Sequence, residues 1–471
     1  MKYILKVKNL FKNEMDLTTG NLFVKILIFT LPIILSGFLQ LLFNSADLIV
    51  VGQFGGGNSS QSAVGSTGSL VNLIVNVFMG FSVGANVAMA RAYGANAKDK
   101  GERILHTSII LSLISGVVVT IIGCSCSYFL LKLMGTPADV IEKANLYLLI
   151  YFAGMPFLMI YNFGSAILRA VGDSKRPLYF MALAGILNIA LNLLFVIVFK
   201  LDVAGVGIST VISEAASAAL ILVCLFKNKG FVQLKFKKLR VHRAELIEIA
   251  EIGLPAGVQG SIFSISNVVI QSSINSFGTI ALNGSTVASN IENYIYTAMN
   301  AVATSCVAFT SANFGAKKAE NLTKILKYSL ILVILFGVGL GAFAIFIPGP
   351  LSMIFNTDPL VIDYSVRRLI IFGSTYFLCG IMDVSAGYMR GIGYNIAPMV
   401  ITLIGACILR IVFIYAIFPL DYFHSLAWIY YSYGISWVVT SIAQFISIGI
   451  VQKKASIACL NYSPNNKEIT V

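Results

Sequence analysis

The sequence predicts an all-α polytopic membrane protein whose twelve transmembrane helices form two pseudo-symmetric six-helix lobes. Three observations carry that expectation. Of 471 residues, 57% are apolar and only 11% charged, with a mean hydropathy of +0.86, a composition that cannot give an ordinary water-soluble globule its surface. Apolar stretches of about 20 residues, the length a helix needs to cross ~30 Å of hydrocarbon, recur along the whole chain. Residues 31–177 also reappear over 254–398 with different letters and the same punctuation.

The apolar stretches fall near residues 23–50, 63–90, 103–131, 144–166, 177–199, 204–226, 248–275, 281–312, 324–347, 362–387, 395–418 and 425–451, spans 1 to 12. They are continuous runs without the two-residue alternation of a barrel strand. The repeat is read residue by residue. At a shift of 223, Leu31-Pro32 falls on Leu254-Pro255, Gly37 on Gly260 and Asn44 on Asn267; from Tyr93-Gly94-Ala95 onward a shift of 221 carries Arg169 onto Arg390, Gly172 onto Gly393 and Pro177 onto Pro398. Solenoid units run to about 50 residues, so this is a duplicated domain. The lobes are residues 1–230, with a cytoplasmic N-terminal segment, and 247–455; residues 231–246 are a basic cytoplasmic linker and 456–471 a cytoplasmic tail.

Charge sets the orientation. Lys227, Lys229, Lys235, Lys237, Lys238, Arg240 and Arg243 lie between the lobes, and Lys98, Lys100, Arg103, Lys175, Arg176, Lys317 and Lys318 in links on the same side. That side is expected to be cytoplasmic, with both termini inside a multi-pass cell membrane protein. The net charge of +13 is then explained by orientation and attraction to anionic lipid, and no aromatic-basic module points to nucleic acid. Met1 to Lys12 alternates lysines with apolar residues and is expected to lie on the inner membrane surface. It lacks a cleavage signal, so targeting falls to span 1.

Enzyme chemistry has little to work with. Seven cysteines show no CxxC or metal-ligand spacing. His106, His242 and His424 sit apart, without an acid or nucleophile at useful spacing. No GxxxxGK[ST] phosphate loop is present. The expectation is a non-enzyme without a cofactor.

Ionisable groups in the spans carry more information, because each costs ~2.5–3.5 kcal/mol at mid-bilayer. Asp47, Glu214, Glu292 and Asp383 meet that description. Asn188 and Asn192 in span 5, and Thr210 and Glu214 in span 6, are four apart and so share a helix face. With Asp47 they supply oxygen ligands of the kind a hard cation or a proton needs. The alternative for Asp47 is an acid solvated at the outer interface. In the second lobe Asp383 stands where the first has Asn162, and Arg410 in span 11 is the expected neutralising partner of Asp383 or Glu292, a pair that could equally be structural. Pro32, Pro255, Pro156 and glycines such as Gly80, Gly84 and Gly164 can bend a span, although glycine also serves close packing. Pro32 and Pro255 are the expected hinges.

Leu31-Pro32, Asp47 followed by Val51-Gly52, Tyr93-Gly94-Ala95, Leu168-Arg169-Ala170-Val171-Gly172-Asp173 with Pro177, and Met389-Arg390-Gly391-Ile392-Gly393 with Pro398 together resemble the multidrug and toxic compound extrusion (MATE) transporters over nearly the whole chain. The resemblance implies a two-lobe secondary active exporter in which a sodium or proton gradient drives organic, often cationic amphiphilic, compounds outward by alternating access through a central cleft. It further implies that Asp47 couples the cation, that Asn188 and Asn192 join it as ligands if the ion is Na+, and that Thr210 supplies the span 6 hydroxyl. The family's span 5 pair is commonly Asn-x-x-x-Asp, so one carboxylate is missing here. Glu214, where an uncharged Gln is frequent, is expected to restore that charge, unless it only bonds a neighbour or faces trapped water. Glu292, Asp383 and Arg410 form the expected substrate and charge network. The family's acid early in span 7 is absent from Ala256 to Phe263.

One charge moving inward through ~120 mV releases roughly 2.8 kcal/mol, enough for about a hundredfold gradient of a neutral solute. Organic small molecules and membrane lipid are the expected partners and a monomer the expected state. The alternative is a lipid-linked oligosaccharide or polysaccharide flippase of the same superfamily, which would favour basic cavity residues and extra spans over four intramembrane acids.

Overall fold

The computed structural model describes residues 14–464 except 135 and 229. The expected surface segment Met1 to Lys12 and residues 465–471 of the expected tail lie outside the described residues. Apolar runs rich in Leu, Ile, Val and Ala become long helices: α1 (Leu22–Phe54), α2 (Asn58–Gly94), α3 (Lys98–Leu133), α4 (Ala138–Ala153), α5 (Met155–Ala170), α6 (Lys175–Asn192) and α7 (Asp202–Lys227). The second repeat supplies α8 (Arg243–Asn275), α9 (Thr279–Gly315), α10 (Ala319–Phe346), the short α11 (Pro348–Met353), α12 (Pro359–Thr375), α13 (Phe377–Gly391), α14 (Ile396–Thr402), α15 (Leu409–Val412) and α16 (Leu426–Leu460). Among the described residues, nine helical stretches are individually long and apolar enough to cross a membrane, and two bent pairs do so together. With α9, whose hydropathy is diluted by Asn283, Ser285, Thr286, Asn290, Glu292 and Asn293, they make the twelve predicted segments.

Spans 4 and 10 are not the single helices the apolar runs suggested. The first breaks by 49° between α4 and α5, and the second by 44° between α12 and α13. Gly154 stands at the first break and Pro156 two residues on, where a ring without an N–H costs the new helix nothing. The second break falls at Tyr376 without a proline, so the shared geometry was hidden from the sequence. Spans 5 and 11 also loosen into π-helical turns, at Leu193–Val198 after α6, and at Leu403–Ile408 and Phe413–Ile417 on either side of α15. α16 runs on past the expected span end at 451 and takes Cys459 out of the tail into a helix.

The chain forms two compact units. Unit 1 is 1–16 and 35–257; unit 2 is 17–34 and 258–471. The basic linker 231–246 thus divides the sequence, whereas in space the first part of α8 belongs to unit 1 and the first part of α1 to unit 2. The changes of unit, after Ile34 and after Gly257, are equivalent positions in the repeat. Each falls two residues beyond a helix-internal proline, Pro32 or Pro255.

Small residues seat these borrowed segments. In unit 1, Gly80-x-x-x-Gly84 of α2 faces Gly253-x-x-x-Gly257 of α8: a Cβ at 80 would lie 2.3 Å from Gly257 N, and one at 84 only 2.2 Å from Ile249 O. Such paired glycines let helix backbones meet in lipid, where close packing must replace the hydrophobic effect. In unit 2 the repeat-equivalent positions are Thr30 and Ser305, and Thr30 Oγ1 donates to Ser305 Oγ at 2.8 Å. The repeated Arg-x-x-Gly has a backbone cause. Gly172 and Gly393 end α5 and α13 with φ of 89° and 106°, a left-handed conformation cheap only for glycine.

Charges beside the linker are partly compensated within unit 1. Lys100 pairs with Glu248 at 2.8 Å, Arg103 with Glu245 at 2.5 Å, and Lys235 and Lys238 both reach Glu102. The glycine seam yields a direct expectation. Gly84→Ala should destabilise the protein by about 1–3 kcal/mol, the usual cost of overpacking, whereas Gly339→Ala, with open space around its Cβ, should be near neutral. Thermal unfolding in detergent reads both, and equal effects would contradict the close approach.

Candidate functional site

Unit 1 contains a half-open cavity of about 340 Å³ lined by residues of α1, α2 and α4 to α7, with Asp47, Asn188, Thr210 and Glu214 among them. Asp47 is 6% exposed, a buried acid on the cavity wall. The helical spacing of Asn188 and Asn192 on α6 aims both amides at it. Asn192 Nδ2 donates to Asp47 Oδ1 at 2.5 Å and also lies 3.2 Å from Asn188 Oδ1. From α7, Thr210 Oγ1 stands 3.4 Å from Asp47 Oδ2, 3.4 Å from Asn188 Nδ2 and 3.0 Å from Val206 O. A hydroxyl has one proton, so Thr210 donates either to Asp47 or to its own helix, and in the second case turns a lone pair toward the carboxylate.

Glu214 lies one turn further along α7 and lines the same cavity. Its Oε2 is buried with no hydrogen-bond partner among the described residues, as is Asn192 Oδ1. Gly154, at the α4/α5 break, leaves room for Glu214: a Cβ there would sit 3.2 Å from Oε2 and 2.7 Å from Val211. Tyr147 and Tyr151 stack nearby with ring centroids 5.8 Å apart and line the cavity wall. A pair of aromatic residues one turn apart on span 4 was the signal for them in the sequence.

The remaining acids lie in unit 2, and there the expected pairing is corrected. Arg410 neutralises neither. Glu292 on α9 is held in a two-point pair by Arg368 on α12, Nε to Oε1 and Nη2 to Oε2, both 2.8 Å. Arg368 Nη1 donates to Ser285 Oγ at 3.0 Å, and the guanidinium lies over the Phe372 ring at 4.7 Å. The sequence reading singles out Asp383 in span 10 and passes over Arg368, yet an arginine inside a span demands an acid in reach. Asp383 on α13 instead accepts from the Tyr296 hydroxyl and lies near Arg390, which donates to Gln259 Oε1 at 2.6 Å. Its repeat counterpart Asn162 bonds its own helix through Leu158 O at 2.9 Å. Arg410 is fully buried and its Nε donates to Ser436 Oγ at 2.7 Å. Of the two expected hinges, Pro32 lies within α1 and Pro255 within α8, both unbroken.

A search against known families matches the MatE profile to residues 32–194 and 255–416, one match to each half of the repeat. Among curated relatives, "Probable multidrug resistance protein YoeA" of Bacillus subtilis is 26% identical over 385 residues, 80% of this chain and 82% of that protein. "Probable multidrug resistance protein YpnP" of the same organism is 31% identical over 310 residues, 64% of this chain and 67% of that protein. Among solved structures, a MOP superfamily transporter from Pyrococcus furiosus superposes with a TM-score of 0.87 at 24% identity, covering 93% of this chain and 98% of that one.

The Glu292 pair can be tested apart from any activity. Arg368→Met leaves a buried carboxylate alone and should cost about 3–5 kcal/mol. Adding Glu292→Gln should return most of it. A double-mutant cycle on chemical unfolding measures the coupling, and simple additivity would contradict the pair.

Proposed function

The chain belongs to the MatE family, and from that premise we propose that it is a secondary active multidrug exporter in which inward flow of Na+ or H+ drives organic, cationic amphiphilic compounds outward by alternating access. The observation that carries this reading is the set of oxygens gathered in and beside one cavity. Asp47 is buried and held by neutral amide and hydroxyl donors, and two acceptor oxygens of the same set, Asn192 Oδ1 and Glu214 Oε2, have no donor among the described residues. Oxygen-only donors of that kind suit a hard monovalent cation or a proton. The names of both Bacillus relatives, multidrug resistance proteins, agree with this reading of the cargo.

Glu214 is the second carboxylate of the site, in place of the acid that α6 lacks at Asn192. Asp47 and Glu214 together attract one cation. When that cation is absent, Thr210 turns its hydroxyl to Asp47; when it is present, the hydroxyl turns to Val206 and offers a lone pair. A cationic compound in the same cavity, against Tyr147 and Tyr151, competes for the two negative charges, so loading the ion favours release of the compound. Pro32 and Pro255 serve as hinges because each stands two residues before its helix changes unit. Both termini face the cytoplasm and the working form is a monomer in lipid.

Dye uptake by everted membrane vesicles, with Na+ and pH gradients imposed separately, tests the proposal. The wild type should accumulate an amphiphilic cation under at least one gradient, Asp47→Asn should abolish this, and Glu214→Gln should reduce it by about 10-fold or more. Wild-type transport by Glu214→Gln would remove Glu214 from the site. Ion-independent behaviour toward every amphiphilic cation would sink the exporter itself.

A further inference from the structure

Among the described residues, unit 2 contains a buried cation with no counter-charge. Arg410 is 0% exposed, on a single α-turn between two π-helical stretches. π-helical turns recur at functional sites, because the extra residue re-aims side chains. Nε is satisfied by Ser436, but Nη1 and Nη2 meet no acceptor. The guanidinium lies among the rings of Tyr433, Trp437 and Phe263, at 4.3, 5.4 and 5.3 Å from their centroids. Its titratable neighbours are Tyr433, Cys379, Cys407 and Tyr376, with no carboxylate among them. Of the acids of unit 2 that lie within spans, Glu292 is held at both oxygens by Arg368, and Asp383 accepts from Tyr296 and lies near Arg390, its Oδ2 meeting no donor among the described residues.

Aromatic faces offset the positive charge but do not finish the hydrogen bonding. Guanidinium hydrogens lie in the plane of the group and call for in-plane acceptors. A further donor stands in the same cluster: the indole Nε1 of Trp437 is buried and likewise has no acceptor. What the cluster lacks is a compact group with negative charge and several lone pairs. The repeat makes the contrast sharp. At the shift of 221, Arg410 takes the place of Ile189, beside Asn188, so the span that carries neutral amides beside Asp47 in unit 1 carries in unit 2 a cation unpaired among the described residues.

We propose that unit 2 holds a binding site for one monovalent anionic group, a halide or a carboxylate, seated on Arg410 and the indole N–H of Trp437. The complete enclosure of Arg410 restricts the occupant to a small group. The site is independent of the cation-coupled reading of unit 1, and its test uses no transport.

The chain has two tryptophans, so Trp428→Phe leaves Trp437 as the sole indole reporter. Iodide titrated into the purified full-length protein, at constant ionic strength with methanesulfonate, should quench Trp437 with a saturable curve. Chloride competition would mark a halide as the occupant, and acetate competition without chloride competition a small carboxylate. Arg410→Gln should remove the saturable component. Arg410→Lys, which keeps the charge and loses the planar fork, should raise half-saturation by about 10-fold or more, and it keeps the test open if the Gln variant fails to fold. Linear, unsaturable quenching of the parent, or identical saturation in a folded Arg410→Gln or Arg410→Lys protein, would overturn the site.

Discussion

In hydrocarbon, a carboxylate that stays charged must have its hydrogen bonds supplied by the protein, and around Asp47 unit 1 is arranged to supply some of them and withhold others. Two helices, α6 and α7, bring one amide donor and one shared hydroxyl to the carboxylate. No basic side chain pairs with it among the described residues. A lysine or arginine would neutralise it permanently, as Arg368 does Glu292, and would leave a structural pair. The neutral donors hold the acid in place without neutralising it. Glu214 Oε2, unpartnered among the described residues, lies where Gly154 at the α4/α5 break has no side chain.

The duplicated scaffold has been used twice with different chemistry. Both units end a helix with Arg-x-x-Gly, both bend a span at equivalent places, and both accept the first part of a helix whose remainder belongs to the other unit. The contacts that seat those segments differ, with glycine against glycine in unit 1 and Thr30 bonded to Ser305 in unit 2. The polar interiors differ more. Unit 1 gathers oxygens around a cavity, and unit 2 contains a closed Glu292–Arg368 pair and an arginine boxed by aromatic rings. Backbone demands such as φ and close approach are shared, so the copies agree there; side chains facing the interior were free to diverge.

Much of this was legible in the chain. Composition and twelve apolar runs gave the class, and the repeat gave the lobes. Four-residue spacing put Asn188 with Asn192 and Thr210 with Glu214 on shared faces, as found. The misreadings share a cause. Arg410 was matched to Asp383 or Glu292 because all three lie within spans, but which helices face each other is decided by packing between segments remote in sequence, and α9 met α12 instead. The break at Tyr376 has no proline to announce it. The transfer of residues 17–34 and 243–257 between units depends on contacts that a one-dimensional pattern does not record.

The central claim is that Asp47 and Glu214 bind one cation that an organic cation displaces. Counting the protons and sodium ions released when an amphiphilic cation binds purified wild-type protein tests it most directly, with a pH indicator and a sodium electrode read in the same sample. The account predicts release of about one ion per compound bound, and none from Asp47→Asn. Saturable binding of the compound to the wild type with no release of either ion would contradict it.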